Sequence, residues 1–226
     1  MSKRIHAIQA IRWIFFDIGS TLVDEEEAYK HRIRDMIEGT SVTLDQFWDK
    51  RIQYAKEGFN GDQKAIEYFA LNKTPWHSED EVPFGDCEET LRTLCDRGYQ
   101  LGVIANQKPG AKERLDAWGL GRYFSVIASS AELGVSKPDK EIFLRALAMA
   151  NCKPENAVMV GDRLDNDIRP AKKLGMKTIR IRKGLAIYMK PSREAEVPDH
   201  TVDSLSEIIS LFCILDADGN KRGTHD

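Results

Sequence analysis

The chain has 226 residues and a formal net charge of −3, which is room for one large domain or for a core domain carrying an insert. Hydrophobic residues make up 42% and charged residues 31%; this is an ordinary globular balance with no basic excess, so nucleic acid is not an expected partner. No apolar run approaches bilayer-spanning length, and the basic residues 1–4 lack the apolar stretch and cleavage site of a signal peptide, so neither a membrane nor secretion is expected and the reading is cytoplasmic. Cys87, Cys95, Cys152 and Cys213 are scattered without a CxxC pair, which suits reduced thiols better than disulfides or zinc. The five histidines are equally dispersed, so the sequence offers no His-based metal site.

Short β-rich runs alternate with helical patterns, the sign of an α/β fold with a parallel sheet. The first expected strand, Trp13–Phe16, ends at Asp17. Residues 24–84 then break the rhythm: they are rich in Glu, Lys and aromatic residues, read as helical in pieces and offer no buried strand. A helical insert fits, and its departure from the end of the first strand makes it a candidate lid. From residue 86 the alternation resumes. A helix over 86–97 opens on a capping-box pattern, Asp86 with Glu89, carries Leu91, Leu94 and Cys95 on one face and stops at Gly98. Strand 101–105, helix 112–118 and strand 126–128 follow. Helix 139–150 has Pro138 suited to its first turn and would bury Ile142, Phe143, Ala146 and Leu147. Strand 157–160, a helix from about 166 to 174, strand 178–181 and a helix over 205–212 behind an Asp203/Ser204 cap complete the core. The tail, 216–226, is polar and reads as loose; its Asp216-Ala217-Asp218-Gly219-Asn220 places the glycine too early for a calcium loop and lacks the closing acid.

Ligands of open parallel sheets bind beyond the carboxyl ends of the strands, and four segments deliver polar groups there in order. They are Asp17 with Thr21, Asn106 with Gln107, Lys137 ahead of Pro138, and Asp162 with Asp165 and Asp167 behind Gly161. Each alone has a plain alternative as a turn residue, helix cap or surface cation. Together they assemble carboxylates, amides and a cation, a set that suits Mg²⁺ and a phosphoryl group.

These motifs resemble those of the haloacid dehalogenase-like hydrolases, whose pattern is DxDx[TV], a Ser or Thr after the second core strand, a Lys, and an acidic GDxxxxD. The chain has Asp17-Ile18-Gly19-Ser20-Thr21, then Ala105-Asn106, Lys137-Pro138 and Gly161-Asp162-Arg163-Leu164-Asp165-Asn166-Asp167. The likeness runs over roughly residues 11–212 and implies a Rossmann-like core (1–23 and 85–215) with a helical cap of the family's first class at 24–84. It implies that Asp17 attacks phosphorus and becomes an aspartyl-phosphate. Lys137 would hold Asp17 and the phosphoryl oxygens, and Thr21 and Asn106 would contact phosphate. Mg²⁺ would sit on Asp17, the carbonyl of Gly19 and Asp162, with Asp167 in support.

Two departures bear on the chemistry. Gly19 stands where the family's phosphatases carry the carboxylate that protonates the leaving group and then activates water; loss of such a group costs about 10²–10⁴ in rate. Ala105 stands where a hydroxyl usually contacts phosphate. The leading expectation is therefore a Mg²⁺-dependent hydrolase of a small phosphorylated metabolite with another source for the proton, or a good leaving group. Phosphonoacetaldehyde hydrolases also lack the second carboxylate and use a cap lysine as a Schiff base, for which Lys30, Lys50, Lys56, Lys64 and Lys73 are candidates. A catalytically silent binding protein is the third reading. Substrate identity and oligomeric state have no signature in the sequence.

Overall fold

The computed structural model describes residues 11–216. The basic start (1–4) and nearly all of the expected loose tail, including the calcium-loop-like stretch past Asp216, lie outside the described residues. Strand β1 (Trp13–Phe16) sits in the middle of the sheet, and its Ile14, Phe15 and Phe16 are fully buried. A strand covered on both faces reads as a continuous apolar run rather than an alternation, which is why it stands out in the sequence. The chain then makes the two-residue β2 (Val23–Asp24) and the insert helices α1 (Glu26–Ile37), α2 (Leu44–Lys56) and α3 (Gly61–Tyr68). It returns through β3 (Val82–Pro83), which pairs antiparallel with β2 and ties the insert's entry to its exit.

The insert has a small core of its own, Ile33, Met36, Phe47 and Ala65. Its helices start on local signals: Thr43 and Gln46 exchange side-chain to backbone hydrogen bonds as a capping box, and Asn60 accepts from the Gln63 N–H.

The rest of the chain alternates: α4 (Cys87–Asp96), β4 (Gln100–Ala105), α5 (Ala111–Ala117), β5 (Phe124–Ser129), the single turn α6 (Ser130–Leu133), α7 (Lys140–Met149), β6 (Ala157–Gly161), α8 (Arg169–Lys173), β7 (Lys177–Ile181), β8 (His200–Val202) and α9 (Ser206–Asp216). Six strands form one sheet in the order β5-β4-β1-β6-β7-β8, every pairing parallel. Ile14 and Phe16 face one apolar layer with Leu91, Leu94, Ile208 and Phe212, while Phe15 faces the other with Ile142, Phe143 and Met159. Burial of one such phenylalanine is worth about 1.5–3 kcal/mol. Gly102 in β4 makes room for it, since a Cβ there would lie 2.6 Å from the Phe15 ring. Strand order reverses at β1, between β4 and β6.

All five expected strands are present, β1 with the expected bounds and the others with ends extended by a residue or two, while the short β2 and β3 and the edge strand β8 are additions. His200 and Thr201 are exposed and only Val202 is buried, so this edge strand carries no apolar run to read. Three expectations need correction. Asp86 does not cap α4 with its side chain; its Oδ2 accepts from the Ser206 N–H at 3.0 Å and so links α4 to the start of α9. Pro138 lies before α7, whose cap is Asp139, accepting from the Glu141 N–H at 2.9 Å. The helix expected over 166–174 begins as a π-helical turn, Leu164–Ile168, before α8. Cys87, Cys95 and Cys152 are free thiols. Among the described residues no helix is long and apolar enough to cross a membrane.

Candidate active site

Phe16 is the last residue of β1, and Asp17 leaves the sheet with its N–H still donated to the Val160 carbonyl at 2.9 Å. The following turn is closed on the Ile18 carbonyl by the N–H groups of Thr21, Leu22 and Val23. Ser20 takes the left-handed φ of +52° in that turn, a conformation that costs a non-glycine residue about 1–3 kcal/mol. The Asp17 carboxylate, 14% exposed, opens into a cavity of about 220 Å³ lined from the core by Lys137 and Asp162 and from the insert by Tyr29, Asn60 and Asp62.

Lys137 reaches the same point from the loop before α7. Its side chain is 2% exposed, and its Nζ lies 2.7 Å from both Asp17 Oδ1 and Asp167 Oδ1. Burial works to lower the Lys137 pKa, but Asp167 and Asp17 together outweigh it and hold the group above its ordinary value. The loop is fixed by Asn106, which donates from Nδ2 to the Lys137 carbonyl at 2.9 Å and accepts the Lys137 N–H on Oδ1 at 2.7 Å. The Asn106 carboxamide is thus committed to the lysine's backbone at both ends. Thr21 is fully buried, its Oγ1 has no hydrogen-bond partner, and it does not line the cavity.

The fourth segment leaves β6 at Gly161. A Cβ there would lie 2.4 Å from Asp167 Cγ, so only glycine lets the carboxylate fold back against the strand end. Asp167 is fully buried; beyond Lys137 it accepts the Arg163 N–H on Oδ2 at 2.9 Å. Asp165 does not join the cluster and instead holds Arg163 through two bonds of 3.0 and 2.7 Å. Asp162 is buried, and burial together with the neighbouring Asp167 and Asp17 pushes its carboxyl well above the usual range. Asp167 is raised to about 6 by burial, against the pull of Lys137.

The carboxylates of Asp17, Asp162 and Asp167 converge within 4.8 Å of one another. Three clustered carboxylates, two of them buried, with one ammonium bridging Asp17 and Asp167, offer the oxygen donor set of a hard divalent cation.

One lining residue had no distinguishing signal in the sequence. Glu25 lies in the acidic run Asp24-Glu25-Glu26-Glu27, which looks like a solvated helix start. Its carboxyl is half-buried at the cavity wall, and Oε2 accepts from Ser20 Oγ at 2.9 Å. Burial pushes the Glu25 carboxyl up to about 8; the Ser20 hydrogen bond opposes this, while Glu81, Asp17 and Asp62 add to the rise. Of the insert lysines, Lys30 pairs with Glu26 and Glu27, Lys64 with Glu67, and Lys50 and Lys56 lie over the Tyr68 and Tyr188 rings; neither these nor Lys73 lines the cavity. Lys137 is the lysine that lines the cavity.

Two of the dispersed histidines do meet. His31 and His77 stack on the insert with ring centroids 3.5 Å apart, and with Glu79 their ligand atoms lie within 4.8 Å. Both His77 nitrogens already bond carboxylates, Asp35 at 2.6 Å and Glu79 at 3.0 Å.

A carboxylate–lysine–carboxylate cluster thus stands at the switch point of a parallel α/β sheet, the place where such folds bind their ligands. The chain belongs to the haloacid dehalogenase-like hydrolase family, whose model matches residues 14–181. It is 32% identical to a glyceraldehyde 3-phosphate phosphatase of Methanopyrus kandleri over 225 residues, covering 89% of this chain and 97% of that protein. Its fold is similar to that of a phosphatase of the family from Thermococcus onnurineus (TM-score 0.62, 23% identity, 89% and 98% of the two chains). It is also similar to that of a Bacillus subtilis hydrolase of the family described as bound to magnesium (TM-score 0.64, 20% identity, 91% and 99%).

Proposed function

We propose that this protein is a Mg²⁺-dependent phosphatase of small phosphorylated metabolites, working through a phosphoryl group carried on Asp17. The observation that carries the reading is the buried Lys137 Nζ held 2.7 Å from both Asp17 and Asp167, with Asp162 in the same cluster. Asp17, Asp162 and the Gly19 carbonyl would hold the metal, and charge neutralisation on the phosphoryl oxygens is what a bound Mg²⁺ supplies. Lys137 orients Asp17 and faces the phosphoryl oxygens; Asp167, tied to Lys137 and to the Arg163 N–H, keeps the ammonium in place.

The Asp17 carboxylate attacks phosphorus, the bond from phosphorus to the leaving oxygen breaks, and that oxygen takes a proton. Water then attacks the phosphorylated Asp17, releasing inorganic phosphate and restoring the carboxylate. The placement of Tyr29, Asn60 and Asp62 on the cavity wall supports a lid role for the insert, because these residues meet whatever is attached to the phosphate. None of the candidate insert lysines lines the cavity, which favours phosphoryl transfer over Schiff-base chemistry. The relative's name makes three-carbon phosphates the first substrates to try, and the free thiols support a reducing, cytoplasmic setting.

The test is hydrolysis of p-nitrophenyl phosphate with and without Mg²⁺, beside Asp17→Asn. The reading expects metal-dependent activity that the variant loses. Absence of activity, or equal activity in both proteins, would overturn it.

A further inference from the structure

The backbone at position 19 does not require glycine. Gly19 is not among the residues with positive φ, so an ordinary side chain could stand there. What occupies that space is another residue: a Cβ on Gly19 would lie 2.4 Å from Glu25 Oε1, 2.7 Å from Glu25 Cδ and 2.8 Å from Glu25 Oε2. The Glu25 carboxyl therefore fills the space through which a side chain at 19 would enter the cavity. Its position is fixed from the same turn, because Ser20 Oγ donates to Glu25 Oε2 at 2.9 Å. Ser20 does so from a left-handed backbone conformation, φ +52°, that glycine would adopt without strain. The two unusual residues of the turn thus act on one partner, Gly19 by leaving room and Ser20 by holding the carboxyl.

We infer that Glu25 is the proton-transfer group of this active site, delivered from the root of the insert in place of a carboxylate at position 19. The inference rests on the phosphatase reading above and adds to it the residue that completes both half-reactions. In the first, the Glu25 carboxyl gives its proton to the leaving oxygen as the bond from phosphorus to that oxygen breaks. In the second, the Glu25 carboxylate takes a proton from the water that attacks phosphorylated Asp17. The protons balance, and no other reagent is consumed. Because Glu25 sits between β2 and α1, movement of the insert also moves the proton donor, which couples closure to chemistry.

The experiment compares wild type, Glu25→Gln, Glu25→Ala and the double variant Gly19→Asp with Glu25→Ala, on p-nitrophenyl phosphate and on glycerol phosphate. p-Nitrophenolate leaves with little help, whereas an alkoxide needs a proton. Glu25→Gln should therefore lose about 10²–10⁴ in turnover of glycerol phosphate. On p-nitrophenyl phosphate it should keep a burst of nitrophenolate stoichiometric with enzyme, followed by slow turnover as phosphorylated Asp17 waits for a base. Restoring a carboxylate from position 19 in the double variant should recover glycerol phosphate turnover over Glu25→Ala, which a merely structural role for Glu25 would not allow. Unchanged glycerol phosphate turnover in Glu25→Gln, or burst and turnover falling in the same proportion on both substrates, would overturn the inference while leaving the phosphatase reading intact. A wild type inactive on both substrates would instead remove the phosphatase reading, and this inference with it.

Discussion

Replacing Lys137 by methionine removes the one buried ammonium between Asp17 and Asp167 while keeping an apolar stem of similar length. In the wild type both contacts are 2.7 Å, the lysine is 2% exposed and Asp167 is fully buried. Removing one partner of a buried, hydrogen-bonded ion pair costs about 3–5 kcal/mol, because the remaining charge has no compensation. Here the cost falls on a group of three carboxylates that already crowd one another, so the upper half of that range is expected. For a chain of this size each kcal/mol lowers the melting temperature by about 2–4 °C, and a fall of roughly 8–20 °C should be visible in thermal unfolding followed by circular dichroism in EDTA. Turnover should vanish together with the stability. A variant that melts with the wild type would refute the reasoning, since it would mean that Lys137 does not bridge the two carboxylates.

Asp162→Asn should have the opposite sign without metal: relieving carboxylate crowding should raise stability by about 0.5–2 kcal/mol in EDTA, while the stabilisation that Mg²⁺ gives the wild type disappears in the same melts. Gly161→Ala drives a methyl to within 2.4 Å of Asp167 Cγ and should cost about 1–3 kcal/mol by overpacking; urea titration would measure this, with activity falling because Asp167 can no longer hold Lys137. Asn106→Ala removes both bonds to the Lys137 backbone and leaves a partly buried N–H and carbonyl unpaired, a loss of about 1–3 kcal/mol for each buried group left unsatisfied that the same titration would register. The His77 pKa is raised above its ordinary value by its bonds to Asp35 and Glu79. Its contribution to stability is therefore fully present below about pH 6.5 and lost as pH rises through the folded-state value. A proton NMR titration should show the upward shift, and His77→Gln should flatten that part of the stability profile.

The fold and three of the candidate site's four segments were legible because each candidate residue follows an apolar run at a strand end. Asp17, Asn106 and Asp162 inherit their places from β1, β4 and β6, and the glycine before Asp162 marks the close approach of Asp167. Lys137 was legible as a residue but not as a contact, since its loop is held by Asn106 across 31 residues of chain. The place of Asn106 at a strand end is visible in the sequence, whereas the hold of its carboxamide on the Lys137 backbone is a tertiary contact that is not. Glu25 was hidden for a related reason: it stands in a run of four acidic residues, and only the tertiary turn at Gly19-Ser20 separates it from its solvated neighbours. β8 escaped because an edge strand with one buried residue has no periodicity to detect.

The most direct test of the central claim is to quench the enzyme with acid during turnover of p-nitrophenyl phosphate and locate the bound phosphoryl group by peptide mass spectrometry. Its place is predicted to be Asp17, with greater occupancy in Glu25→Gln than in wild type because the second half-reaction has lost its base. Turnover with no phosphoryl group on Asp17 in either protein, or with the group on another residue, would contradict the account.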